Sequence, residues 1–86
     1  MFYVYILRSK SVGRYYIGHS NNLKRRLEEH NSGKTRSTKA YVPWEIVYFE
    51  KYLTKPEAYN REIEIKSYKS GLKFKELLKT ERWQSG

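Results

Sequence analysis

Two runs near the start of the chain, Phe2 to Leu7 and Tyr15 to His19, are built from aromatic and β-branched residues. They are separated by the mostly polar stretch Arg8 to Arg14, which has the length and composition of a hairpin connection. Pairing Arg8 with Gly13 would leave a four-residue loop and would set Tyr5 directly across from Tyr16. Both tyrosines then point to the face opposite Val4 and Ile6, because strand side chains alternate. Asn21 or Asn22 is a good cap for a helix over Leu23 to His30, with Gly33 suited to the left-handed position that ends it. Lys34 to Lys39 is polar and basic without an acid. Trp44 to Phe49 predicts a third strand, apolar at Trp44, Ile46 and Tyr48 and again at Val47 and Phe49, and so covered on both faces. Thr54-Lys-Pro-Glu57 is a capping box opening a second helix that runs to about Lys69, before Ser70 and Gly71. A short third helix, Leu72 to Lys79, places Phe74, Leu77 and Leu78 on one side. The expected fold is α+β, a small three-stranded antiparallel sheet flanked by helices in the order β-β-α-β-α-α.

With 86 residues there is room for a single small domain. Residues 1–80 are taken as one unit and 81–86 as a flexible C-terminal tail. Leu, Ile, Val and Phe number only 19, close to a disordered composition, but nine Tyr and two Trp restore the apolar area a core needs. The absence of cysteine removes disulfides, Cys-based zinc sites, iron–sulfur clusters and thiol nucleophiles, so a metal is expected on oxygen. No apolar run has the length of a membrane span, and the first residues read as a half-apolar strand without an apolar h-region or cleavage signal. A soluble, cytoplasmic protein without membrane contact is expected.

Charge narrows the class further. The chain carries 18 Lys+Arg against 9 Asp+Glu, a net +9, and residues 1–44 hold nine of the basic side chains with only two acids. Such a balance attracts polyanions, nucleic acid foremost. On helical periodicity, Ala58 and Ile65 define the inward direction of the second helix, and Glu62 falls on the same arc. An inward carboxylate must meet a cationic side chain or hold a cation. Glu57 and Glu64 point away. In the first helix Leu23 and Leu27 form the apolar stripe, Arg26 and His30 share its flank and line a rim, and Lys24 and Arg25 face water. Residue patterns alone leave Glu62 open to a structural ion pair with Arg26 or to catalysis. They leave His30 open to a role as capping cation, and the strand tyrosines to packing.

These residues resemble the GIY-YIG nucleases, and in particular the small stand-alone, single-domain members of the UPF0213 kind. The resemblance covers roughly Phe2 to Leu78. Tyr16-Ile17-Gly18 is the second half of the name motif, and Tyr3-Val4-Tyr5 stands for the first, with Tyr3 where the motif has glycine. The family's arginine matches Arg26, its helix-borne histidine His30, and its metal-binding glutamate Glu62. The resemblance implies an endonuclease that hydrolyses phosphodiester bonds in DNA to 3′-hydroxyl and 5′-phosphate ends, in the setting of DNA repair or recombination. It implies one divalent cation, Mg²⁺ or Mn²⁺, on Glu62, with Arg26 stabilising the phosphorane. A tyrosinate takes the water's proton: Tyr5 is assigned as base and Tyr16 as the residue that positions the water, with exchange of the two roles left open. His30 orients a tyrosine or shares the proton transfer. Lys24, Arg25, Lys34, Arg36 and Lys39 are the expected phosphate contacts. Larger members of that family carry separate DNA-binding domains, for which these residues leave no room, so non-specific, structure-selective or partner-directed cleavage is expected, with the chain acting as monomer or homodimer. The competing expectations are a non-catalytic DNA- or RNA-binding adaptor that keeps the fold, and a polyanion-binding protein recruited by charge alone.

Overall fold

A computed structural model describes residues 1–69 and 71–79; the tail assigned to 81–86 lies outside the described residues. Strands β1 (Phe2–Ser9), β2 (Tyr15–Ser20) and β3 (Trp44–Tyr52) form one antiparallel sheet in the order β2-β1-β3. Helix α1 (Leu23–Asn31) follows the hairpin, a 3₁₀ turn (Lys39–Tyr41) precedes β3, and α2 (Lys55–Lys66) and α3 (Leu72–Leu78) close the chain. The expected element order holds, with the 3₁₀ turn as an addition.

Local chemistry sets the helix ends. The Asn22 side chain accepts from the Arg25 N–H at 3.0 Å to start α1, and Gly33 adopts a left-handed φ of 83° after its end. Thr54 and Glu57 form the capping box that opens α2. That helix stops at Lys66, three residues before the expected Lys69, and the chain turns over Ser67 to Lys69.

The hairpin register differs from the expected one. Gly13 has a φ of 73°, a left-handed conformation that belongs in a turn, and the Ser9 N–H donates to the Arg14 carbonyl at 2.7 Å. The four-residue loop therefore lies between Ser9 and Arg14 rather than between Arg8 and Gly13. The first strand gains a residue and the second loses one, so Gly18 rather than Tyr16 stands opposite Tyr5, and Tyr16 stands opposite Leu7. The tyrosines still share a face, with ring centroids 6.4 Å apart.

A second correction concerns β3. The register against β1 shifts between Ile6 and Leu7, so that Ile6 faces Tyr48 and Leu7 faces Ile46, leaving Val47 as a bulge. The bulge moves Tyr48 to the face opposite Trp44 and Ile46, where it joins Val4, Ile6, Ala58, Ile65 and Phe74. Tyr5, Leu7 and Trp44 form the other cluster, against Leu23 and Leu27 of α1. Thus α2 and α3 cover one face of the sheet and α1 covers the other. Central β1 is buried on both, which is why it reads as a nearly continuous apolar run instead of an alternating one.

Candidate active site

Because β2 is an edge strand, groups on opposite faces of the sheet can meet around it. Tyr5 and Tyr16 lie on the α1 face, and Glu62 approaches from α2. An open cleft of about 340 Å³ is lined by His19 and Asn21 of the β2 end, Arg25, Arg26 and Glu29 of α1, and Lys55 of α2.

Tyr5 is the centre of the arrangement. Its side chain is 2% exposed, and a Cβ built on Gly18 would come 2.6 Å from its hydroxyl, so the bare backbone of Gly18 is what lets the phenol lie against β2. The hydroxyl sits 3.2 Å from Nε2 of His30. His30 is fully buried, contrary to the expected place on the rim, because Thr38 and the aromatic rings of Tyr5 and Tyr16 enclose it. Its Nδ1 lies 2.8 Å from the Thr38 hydroxyl, which itself donates to the Thr35 carbonyl at 3.3 Å. Thr38 Oγ1 therefore accepts from Nδ1–H, and Nε2 is left with a lone pair for the Tyr5 proton. Burial, with the Arg26 charge adding to it, pushes the His30 pKa down to about 4. A neutral imidazole cannot act as a capping cation, so that expectation falls.

Burial pushes the Tyr5 phenol up to about 12, with the neighbouring Arg26 guanidinium pulling the other way and Tyr16 and Glu62 adding to the rise. Arg26 also donates to Glu29 at 2.9 Å, which is its ion-pair partner in place of the Glu62 considered from sequence. The reason is reach within one helix: the two are three residues apart on α1.

Glu62 is buried, at 8% exposure, as its helical arc requires. Its two oxygens accept from His19 Nδ1–H and Lys66 Nζ, each at 2.5 Å. His19 was missed in the sequence, where a single strand histidine carries no pattern; its role arises only when α2 packs against β2. Thr38 was missed for the same kind of reason. The expected phosphate contacts Lys24, Arg25, Lys34, Arg36 and Lys39 are all exposed. Arg25 lines the cleft, but it also shares a hollow with Lys34 that carries the carboxylates of Glu28 and Glu29. Arg36 and Lys39 line neither. Among the described residues no helix is long and apolar enough to cross a membrane.

Comparison with known proteins places the chain in a family. A family model for the GIY-YIG catalytic domain matches residues 1–75. A UPF0213 protein of Staphylococcus epidermidis is 42% identical over 74 residues, covering 85% of this chain and 89% of that protein. One from Staphylococcus aureus is 43% identical over 67 residues, covering 77% and 80%. The solution NMR structure of a UPF0213 protein from Bacillus halodurans matches with a TM-score of 0.50 at 35% identity, covering 91% of this chain and 82% of that one. By fold, by sequence and by the tyrosine-bearing hairpin at its edge, the chain belongs to the GIY-YIG family and has its nuclease-family fold.

Proposed function

We propose that this protein is a divalent-metal-dependent endonuclease acting on DNA, leaving 3′-hydroxyl and 5′-phosphate ends. What supports this most is the convergence on one phenol oxygen: Tyr5 is bonded to His30, flanked by Arg26 and Tyr16, and within the electrostatic reach of Glu62. Glu62 would hold the cation. Its carboxylate is the hard oxygen donor that Mg²⁺ takes one or two of, with water and phosphate completing the shell. The His19 and Lys66 donors on its oxygens mark the carboxylate as a place for positive charge, and Lys66 is exposed enough to leave. When bound, Mg²⁺ or Mn²⁺ stabilises charge on the leaving 3′ oxygen.

The chain's own residues supply the rest. Arg26 stabilises the phosphorane. Tyr16 positions the attacking water. As the water oxygen bonds to phosphorus and the bond to the 3′ oxygen breaks, Tyr5, as the tyrosinate, takes the water's proton and becomes the phenol. Thr38 holds Nδ1–H of the neutral His30, whose Nε2 orients the Tyr5 hydroxyl. With Tyr5 near 12 and His30 near 4, the resting phenol keeps its proton, and Arg26 is the neighbouring side chain that favours its loss.

A panel of single-stranded, duplex and branched DNA and RNA, incubated with Mg²⁺, Mn²⁺ or EDTA beside Glu62→Ala, tests this. Metal-dependent cleavage that Glu62→Ala abolishes is expected. Binding without cleavage in every metal would overturn it and leave the adaptor. One observation favours that second reading: both Glu62 oxygens are already satisfied within the protein.

A further inference from the structure

Beside the cleft, and joined to it through Asn21, lies a second groove of about 390 Å³. Tyr3 and Phe49 form part of its wall, their rings edge-to-face at 6.1 Å, and Asn22, Lys24 and Lys51 complete it with no carboxylate. Sheet register explains the grouping. Tyr3 faces Lys51 and Tyr5 faces Phe49, so the two aromatics and the lysine lie on the α1 face of the sheet, next to the start of α1. Lys24 and Lys51 are exposed and form no ion pair among the described residues.

Half-buried aromatic rings flanked by unpaired cations suit a nucleobase with its phosphates. An aromatic side chain can stack only on a base whose face is open, and every base has such a face, so the contact is tolerant of sequence but needs an unstacked nucleotide. The alternative path over Arg25 and Lys34 passes the exposed carboxylate of Glu28, which repels phosphate.

We propose that this groove is a subsite for an unpaired nucleotide of the substrate strand, adjacent to the bond to be cut, and that it gives the protein a preference for single-stranded over fully paired nucleic acid. The subsite deepens the nuclease proposal and rests on the same cleft, but it can be tested without cleavage. Binding of labelled single-stranded and blunt hairpin-duplex oligonucleotides is measured by fluorescence anisotropy in EDTA with the full chain. Wild type is expected to favour the single strand. Tyr3→Leu and Phe49→Leu are each expected to lose roughly tenfold on the single strand and little on the duplex. Moving one abasic nucleotide along the strand should give one position where the Phe49→Leu loss disappears. Lys51→Ala is expected to weaken binding to both and to lower the salt slope by about 0.7 to 0.9.

Leucine variants that bind the single strand like wild type, or that lose equally on both substrates, would overturn the proposal. If either leucine variant fails to fold, the abasic scan on the wild-type protein decides: one position at which the missing base weakens single-strand binding supports the subsite, and no such position overturns it. Absence of cleavage with these binding results intact would count against the nuclease and not against the groove.

Discussion

Replacing Gly18 by alanine probes how the hairpin builds the site. The added Cβ would lie 2.6 Å from the Tyr5 hydroxyl, 2.8 Å from Tyr5 Cζ and 3.1 Å from Tyr16 Cε2. Comfortable carbon contacts begin near 3.5 Å, so the phenol must retreat by about 1 Å. It has nowhere to go, since its ring is 2% exposed and its hydroxyl is held by His30. Gly18 does not have a left-handed φ, so the penalty is steric and not one of backbone conformation. Overpacking of this kind costs about 1–3 kcal/mol. In a domain this small each kcal/mol lowers Tm by about 4–8 °C. Thermal unfolding followed by circular dichroism reads the stability, and cleavage under saturating substrate reads the displacement of Tyr5. Adding Tyr5→Phe removes the 2.6 Å contact and keeps the 2.8 Å one, so the double variant should recover part of the stability and none of the activity. A Gly18→Ala protein that melts and cleaves like wild type would refute the packing reasoning.

Two further outcomes follow from the buried histidine. Its pKa falls from about 6.5 unfolded to about 4 folded, so the native state favours neutral imidazole. The stability it contributes is complete above pH 6.5 and is lost as pH falls toward 4, by about 3 kcal/mol in all. Urea midpoints between pH 7 and 4.5 should drop steeply for wild type and less for His30→Phe; parallel curves would contradict the assignment. Thr38→Val leaves Nδ1–H of His30 without an acceptor, a loss of about 1–3 kcal/mol, together with slower cleavage, while Thr38→Ser restores both. Equal Tm and pH–rate profiles for the two variants would show that Thr38 does not position the ring.

Much of this could be read from the chain because it depends on local rules. The capping box, the arc of Ala58, Glu62 and Ile65, and the aromatic hairpin each follow from nearby residues. What escaped depends on contacts distant in sequence or on single backbone angles. The left-handed Gly13 moved the hairpin register, and the bulge at Val47 moved Tyr48 across the sheet; neither leaves a hydrophobic signature. His30 lies on the flank of α1, where periodicity is ambiguous. Its cover comes from Thr38 in a polar loop that has no pattern of its own. His19 gains meaning only from the Glu62 that α2 brings to it.

Single-turnover cleavage by Tyr5→Phe tests the convergence on the Tyr5 oxygen most directly. The substitution keeps the ring in the core and removes only the hydroxyl. Cleavage is predicted to fall by about 10²- to 10⁴-fold, as for loss of a general base, with oligonucleotide binding in EDTA and the circular dichroism spectrum unchanged. Cleavage at the wild-type rate would contradict the role assigned to Tyr5.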